Sequence, residues 1–293
     1  MGLGRWVFLN GEFVQADAAA QSPFDRGFLF AHAAYEVTAL YNSRFIDIDR
    51  HLKRLSRTLN AIEIAVPDDD IESLHHEVIA RNELDEGLVY LQVSAGNQGP
   101  RDFYGPEILR PSIFVFSTER QLISDVAQTG VKAITKEDTR WKRCDVKTTQ
   151  LLSQSLAYRE ARRRGAYTAL MHEDGVVTEA ASANAWIVDQ DGAIITRDLS
   201  PSLLPGVTRD RVLSLLTDEG YVVQERAFTV EEAKSASECF TTSTGVTILP
   251  ITSLDGHAVG KGLPGPITRT AQRLYYQYMG ANIALAAPWA KAN

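Results

Sequence analysis

The chain has 293 residues, 44% of them hydrophobic and 23% charged, with a formal net charge of −7. That length suits about two domains of ordinary size, and the apolar share is enough to build cores. The acidic balance, with no long basic face, argues against a nucleic-acid partner, and no apolar run is long enough to cross a membrane. The densest basic cluster, Arg162–Arg164, stands just before Gly165. Cations complement the negative end of a helix and glycine caps it, so the cluster reads as a helix C-terminus. The two cysteines, Cys144 and Cys239, are far apart and fit a reducing compartment rather than a disulfide scaffold. With no basic-then-apolar leader pattern at the start, the expected location is the cytoplasm.

In chain order, Trp6, Phe8 and Phe13 flank Asn10-Gly11, a strong hairpin signal. An extended stretch over Tyr35–Tyr41 turns at Asn42-Ser43 and returns through Phe45. Leu52, Leu55, Leu59 and Ile62 recur at helical spacing and predict one buried stripe. A second helix is predicted over Ile71–Arg81, with Ile71, Leu74 and Val78 inward. Strands follow at Leu88–Val93 and Ser112–Phe116, around a polar, glycine-bearing loop from Gly96 to Gly105 long enough to be functional. A boundary falls near Glu119–Gly130, giving a small domain over 1–120, a linker over 121–130 and a larger domain over 131–293.

Beyond it, strands are predicted at Val131–Thr135 and Tyr167–Glu173, with a helix near Leu151–Arg164 between them. Asn184–Arg197 reads as a hairpin around Asp191-Gly192, and Thr208–Glu219 as a helix stopped by Gly220. Tyr221–Phe228 reads as a strand, Thr229 with Glu232 as a capping box, and Cys239–Thr242 as a short strand. A last helix covers Ile267–Met279, and Ala286–Asn293 reads as a tail. Strands and helices mix in both halves, which predicts two α+β domains.

The common hydrolase, zinc, dinucleotide and P-loop motifs are missing from the sequence. His75 and His76 are neighbours on a predicted helix, so they point apart and are expected on the surface rather than as a metal pair. Small and hydroxyl-bearing turns are more informative. Pro205-Gly206-Val207-Thr208 precedes a helix, where free backbone N–H groups and the positive dipole end favour an anion. Thr241-Thr242-Ser243-Thr244-Gly245 ends a strand. Singly, each has a plain alternative, such as an ordinary N-cap.

Together with other segments they resemble the fold-type IV (class IV) aminotransferases, the D-amino-acid aminotransferases in particular. Arg140-Trp141-Lys142-Arg143-Cys144-Asp145-Val146-Lys147 is similar to that family's cofactor-lysine segment, and Val177–Asn184 to its second signature. Arg26-Gly27 with Tyr35-Glu36-Val37 resembles its N-terminal domain, and His51–Leu55 the helix that supplies a phosphate-binding arginine. Leu204–Arg209 and Ser243-Thr244 resemble its two phosphate loops. The likeness runs in order from about Phe8 to Tyr278.

The resemblance implies pyridoxal 5′-phosphate in a cleft between two α+β domains, a homodimer, and transfer of an amino group from a D-amino acid to a 2-oxo acid. Lys147 would bond the cofactor aldehyde and later move a proton, work that suits a desolvated amine. Glu179 would face the pyridine nitrogen, with Ser182 and Asn184 beside it. Arg54 would pair with the phosphate, aided by Gly206, Val207, Thr208, Ser243 and Thr244, and Leu204 would pack under the ring. Tyr35 and Val37 would lie near the substrate. The family's substrate loop usually reads Arg-x-His, whereas this chain has Arg101-Asp102-Phe103. The arginine is retained and an apolar side chain replaces the histidine, which opens the way to (R)-amines that lack a carboxylate. Where the family has Gly-Asp-Gly-Val before the tyrosine, this chain has Ala31-His32-Ala33-Ala34, and His32 is either a new substrate contact or a structural histidine. Three alternatives stay open: a branched-chain L-amino-acid aminotransferase, a 4-amino-4-deoxychorismate lyase, and a non-catalytic binder of a phosphorylated vitamin.

Overall fold

The structure, a computed structural model, describes residues 2–290. Two compact units emerge: residues up to Leu122 together with Val146–Gln150, and Ile123–Asp145 together with the chain from Leu151 onward. The short piece that carries Lys147 thus belongs to the first unit although it lies inside the sequence of the second.

The first unit is an antiparallel sheet with helices on one face. Its strands are β1 (Gly2–Leu9), β2 (Glu12–Gln15), β3 (Ala33–Tyr41), β4 (Arg44–Ile46), β5 (Gly87–Ser94) and β6 (Ser112–Glu119), in the order β2-β1-β6-β5-β3-β4. The first hairpin turns where expected, with Asn10 at φ 52° and Gly11 at φ 102°. A short helix α1 (Arg26–Phe30) precedes β3, while α2 (Ile48–Ala61) and α3 (Ile71–Arg81) follow β4. Leu55 and Leu59 of α2 and Val78 and Ile79 of α3 pack on Leu40, Val89, Leu91 and Val115 of the sheet. The buried face of α2 is turned from the predicted stripe: His51, Arg54, Leu55, Thr58 and Leu59 are buried, whereas Leu52 and Ile62 are only partly so. A carboxylate on the sheet draws His51 and Arg54 inward. His75 also departs from expectation. It is fully buried, with Nδ1 2.8 Å from the Ile71 carbonyl and its ring edge-on to Phe45. Only His76 is exposed.

The second unit is built on a mixed sheet. Its strands are β7 (Val131–Glu137), β8 (Thr168–Glu173), β9 (Val176–Ala180), β10 (Asn184–Val188), β11 (Ile194–Thr196), β12 (Val223–Glu225), β13 (Glu238–Ser243) and β14 (Thr247–Leu254), in the order β12-β11-β10-β13-β14-β7-β8-β9, with β15 (His257–Ala258) beside β14. A tight turn closed by the Ala180 amide on the Ala183 carbonyl joins β9, at one end of that order, to β10 near the other, so the sheet curls on itself. The helices are α4 (Asp125–Thr129), α5 (Leu152–Arg163), α6 (Val207–Asp218), α7 (Val230–Ser235), α8 (Pro266–Met279) and α9 (Ile283–Ala286). The arginine cluster closes α5 as predicted, and Thr229 and Glu232 form the capping box of α7. The expected strand over Tyr221–Phe228 shrinks to three residues, because β12 lies at the sheet's edge, with β11 as its one neighbour among the described residues. The expected tail instead coils: α9 and a 3₁₀ turn, Pro288–Ala290, bury Ala287 and Ala290, while its last three residues lie outside the described ones. Among the described residues, no helix is long and apolar enough to cross a membrane.

Candidate active site

In the first unit, alternation along β3 sets two faces. Ala34, Glu36, Thr38 and Leu40 point to the helices, whereas Tyr35 and Val37 point to the other side and are partly exposed. β4 pairs only with Ala39–Tyr41, so the first residues of β3 take a different neighbour. That neighbour is the lysine segment. The Tyr35 amide donates to the Lys147 carbonyl (3.0 Å), the Thr149 amide to the Ala33 carbonyl (3.1 Å), and the Lys147 amide to the Thr58 hydroxyl (3.3 Å). Lys147 Nζ then sits 4.1 Å from the centre of the Tyr35 ring. The aromatic face holds the amine by cation–π attraction when it is charged, and the residue is partly buried. Tyr35 rests in turn on Tyr90 (5.5 Å between centroids), and Tyr90 on Phe116 (4.8 Å).

On the opposite face of β3, Glu36 is fully buried between two residues of α2. Arg54 donates from Nε (2.7 Å) and Nη2 (2.8 Å) to its two oxygens, and His51 Nδ1 lies 2.8 Å from Oε2. Burial works against a charge there, but the Arg54 and His51 bonds hold the carboxyl far below the usual range. Burial also lowers the His51 pKa, against the pull of Glu36. Arg54 is thus fixed in a fork on Glu36.

His32 lies in the same unit, with Nε2 2.7 Å from the Ile62 carbonyl and Nδ1 accepting from Arg26 Nε (3.1 Å). Both ring nitrogens are therefore engaged within the unit. Arg101 and Phe103 lie on the exposed loop after β5, with the Arg101 guanidinium 5.1 Å from the Phe30 ring centre and 4.6 Å from that of Phe103.

In the second unit, Glu179 is the last residue but one of β9, with 4% of its surface exposed. Arg140 Nη1 bonds its Oε1, Asn184 Nδ2 donates to its Oε2 (3.0 Å), and the Leu204 amide reaches both oxygens (3.3 Å). Arg140 is shared. Its Nη2 and Nε also bind Asp138, at 2.7 and 3.0 Å, and the Thr178 hydroxyl donates to Asp138 as well (2.6 Å). Burial pushes the Glu179 carboxyl above its ordinary value, against the opposing pull of Arg140 and the Leu204 amide. Against burial, the Arg140 and Thr178 bonds hold Asp138 below its own.

Asn184 also donates to the Leu204 carbonyl (2.8 Å), and a Cβ on Gly206 would lie 2.0 Å from its Oδ1. Asn184 therefore couples the acid to the 204–206 turn, and glycine is required at 206. Gly206 is the N-cap of α6 and supplies no side-chain cap, although Val207 and Thr208 behind it are buried. Of the other two long helices in this unit, α5 also starts without a side-chain cap, on Leu151, but the start of α8 differs. At α8 the buried Glu238 carboxylate accepts from the Ile267 (2.9 Å) and Thr268 (2.7 Å) amides. Ser243 and Thr244 lie, partly exposed, at the turn between β13 and β14, and Ser182 is exposed and bonds the Tyr158 hydroxyl (2.6 Å).

Residues 33–254 match the family model for amino-transferase class IV, which spans most of the chain. The chain belongs to the class IV aminotransferases. This aminotransferase is 34% identical over 268 residues to the D-alanine aminotransferase of Bacillus licheniformis, covering 91% of this chain and 94% of that one. It is 33% identical to the D-alanine aminotransferase of Staphylococcus aureus (strain COL), covering 93% and 97%. Its fold matches the branched-chain amino acid aminotransferase of Thermobaculum terrenum in its PLP form, with a TM-score of 0.83, 22% identity and 98% and 97% coverage. Enzymes of this family depend on pyridoxal 5′-phosphate, and the residues present fit it. The start of α6 has no side-chain cap and so suits a phosphate, whereas α8 fills the same need with Glu238. The buried Glu179 suits a protonated ring nitrogen.

Sequence reasoning passed over Glu36, His51, Asp138 and the part played by Arg140. A signal existed for Glu36, since a carboxylate stands where the alternation of β3 calls for an apolar side chain. His51 and Arg54, three apart on α2, face it together.

Proposed function

We propose that this aminotransferase moves the amino group of a D-amino acid, with D-alanine as the reference donor, to a 2-oxo acid such as pyruvate or 2-oxoglutarate. The observation that carries this reading is the match to D-alanine aminotransferases along nearly the whole of both chains. Arg101 in the loop after β5 supports it, because a guanidinium suits a substrate carboxylate. The branched-chain structures from Escherichia coli and Thermobaculum terrenum are less than 25% identical and speak for the fold alone, and that from Thermoproteus uzoniensis, at 26%, stays below the 33–34% of the D-alanine enzymes. Work on the cofactor falls to Lys147, Glu179 and Tyr35. Its phosphate falls to Arg54, the Val207 and Thr208 amides, Ser243 and Thr244, with Gly206 allowing close approach. Ser182 and Asn184 flank the acid, and Leu204 lies under the ring. Val37 and the loop residues Arg101 and Phe103 face the substrate.

When bound, pyridoxal 5′-phosphate supplies an aldehyde for the amino group and a ring that spreads the charge left at the substrate Cα. Lys147 Nζ would take the proton from the substrate Cα and hold it for return. The Tyr35 ring keeps that amine in place between the two transfers. Glu179 holds a proton at the ring nitrogen through its carboxylate, and Asn184 and the Leu204 amide keep the carboxylate aimed. The replacement of a polar loop residue by Phe103 adds (R)-amines without a carboxylate to the donor range. A homodimer and a cytoplasmic location complete the proposal; the free thiols of Cys144 and Cys239 suit a reducing compartment.

The test is a donor panel of D-alanine, D-glutamate, L-leucine and (R)-1-phenylethylamine against pyruvate and 2-oxoglutarate. Faster turnover of L-leucine than of any D-amino acid would overturn the donor assignment, and no turnover of the amine removes that extension. Lys147→Ala is expected to lower turnover by at least about 10³-fold with the circular dichroism spectrum unchanged. An active alanine variant refutes the role given to the lysine.

A further inference from the structure

The loop after β5 carries Arg101, yet its backbone is barely held. Among the described residues, no backbone–backbone hydrogen bond involves residues 99–110. Up to Gln98 the chain is tied: the Arg26 amide donates to the Gly96 carbonyl (2.9 Å) and the Gln98 amide to the Phe24 carbonyl (3.3 Å). Beyond that, side chains take over: Asn97 Oδ1 accepts from the Gly99 amide (2.9 Å), Asp102 Oδ1 from the Tyr104 amide (3.2 Å), and the loop carbonyls turn to Gln98 and Arg26. Gln98 Nε2 donates to the Pro100 (2.9 Å) and Asp102 (3.0 Å) carbonyls. Arg26 Nη1 bonds Gln98 Oε1 and donates to the Asp102 carbonyl (3.2 Å), while its Nη2 donates to the Phe103 carbonyl (3.4 Å). The loop then closes over the guanidinium: a Cβ on Gly105 would lie 2.9 Å from Arg26 Nη1, and Gly105 has φ +64°.

Arg26 is itself firmly placed. The buried carboxylate of Asp25 caps α1 by accepting from the Gly27 amide (2.7 Å), and the Ser94 hydroxyl at the end of β5 donates to it as well (2.8 Å). Arg26 Nε donates to His32 Nδ1, which leaves the ring proton on Nε2 to bond the Ile62 carbonyl. Arg26 and Arg101 share Phe30, at 4.8 and 5.1 Å from its ring centre.

We infer that Arg26 is a positioning residue for substrate selection: the loop is wound round its guanidinium, and this winding sets Arg101 on Phe30 and Phe103 for the donor carboxylate. The inference rests on the proposed role of Arg101. A planar guanidinium with several donors can serve two carbonyls, an amide oxygen and an imidazole at once, which an ammonium cannot do in one plane. Its loss leaves loop carbonyls tied through Gln98 alone.

The experiment uses the full-length holoenzyme. Arg26→Ala, Arg26→Lys, Gly105→Ala and Arg101→Ala are compared in the KM and kcat for D-alanine and in the rate of chymotryptic cleavage after Phe103 and Tyr104, which are 69% and 94% exposed. Arg26→Ala is expected to speed cleavage about tenfold and to raise KM about tenfold, with kcat changed by less than about twofold. Arg26→Lys falls between it and wild type. Gly105→Ala, which presses on the same contact from the loop side, shifts both readouts the same way and serves if Arg26→Ala does not fold. Unchanged cleavage in both Arg26→Ala and Gly105→Ala overturns the inference. So does faster cleavage with an unchanged KM while Arg101→Ala raises it. If Arg101→Ala leaves KM unchanged, the carboxylate role of Arg101 falls and takes the inference with it. Faster cleavage in Arg26→Ala then marks that failure as one of the substrate role and not of the tether.

Discussion

Two buried carboxylates, Glu36 and Glu179, each face an arginine, and they end in opposite electrostatic states. Glu36 has Arg54 in a fork and His51 besides, and is held well below the usual carboxylate range. Glu179 must share Arg140 with Asp138, and burial leaves it above that range. The same residue pair therefore does two jobs. An arginine forked on one acid makes a fixed ionic brace, while an arginine divided between two acids leaves one of them with affinity for a further positive partner. In the first unit the pair fixes the direction of Arg54. In the second it leaves Glu179 able to take a protonated ring nitrogen.

The sharpest way to break the contrast is Glu36→Gln, which leaves Arg54 buried beside a neutral amide. A loss of about 3–5 kcal/mol is expected in urea melts, as for other broken buried pairs. The sign with pH follows from the depressed value. The Glu36 contribution is present above its ordinary pKa of 4.5 and fades as pH falls below it, so the variant should lose less stability between neutral pH and pH 4 than wild type does. Glu179 has the reverse sign: its contribution is present below 4.5 and fades as pH rises through its elevated value. Glu179→Gln should therefore melt within about 1 kcal/mol of wild type at neutral pH, while kcat falls about a hundredfold. Equal stability losses in the two variants would erase the distinction. The mildest change is Asp138→Asn, which leaves Glu179 as the one carboxylate on Arg140, beside the Ser202 carbonyl. The acid limb of the pH–rate profile is then expected to move to lower pH with kcat altered by less than about tenfold. An unmoved limb would mean that the sharing of Arg140 has no effect on Glu179.

Much of the fold was legible because regular periodicity carries it. Asn10-Gly11, the arginine cluster closing α5 and the Thr229–Glu232 capping box each formed as the local chemistry dictates. What escaped depended on partners distant in sequence. α1 is too short for a periodic signal and exists because Asp25 caps it and Ser94 holds Asp25. His75 was expected outside, since its burial depends on Phe45 and the α3 packing rather than on neighbours in the chain. The site divides in the same way. Lys147, Glu179 and the α6 start were visible through motif resemblance, each being a local string. Asp138, and the bonds that make Arg140 and Asn184 matter, are tertiary and leave no local string.

The brevity of β4 has a practical corollary for anyone dissecting this enzyme. Since β4 stops short, the margin of the sheet at Ala33–Tyr35 is sealed by a short segment from far downstream, through Tyr35–Lys147 and Ala33–Thr149. A fragment ending near residue 122 would expose that raw hydrogen-bonding border beside Tyr35. Such a fragment should self-associate, and a synthetic peptide spanning Val146–Gln150 should restore its solubility.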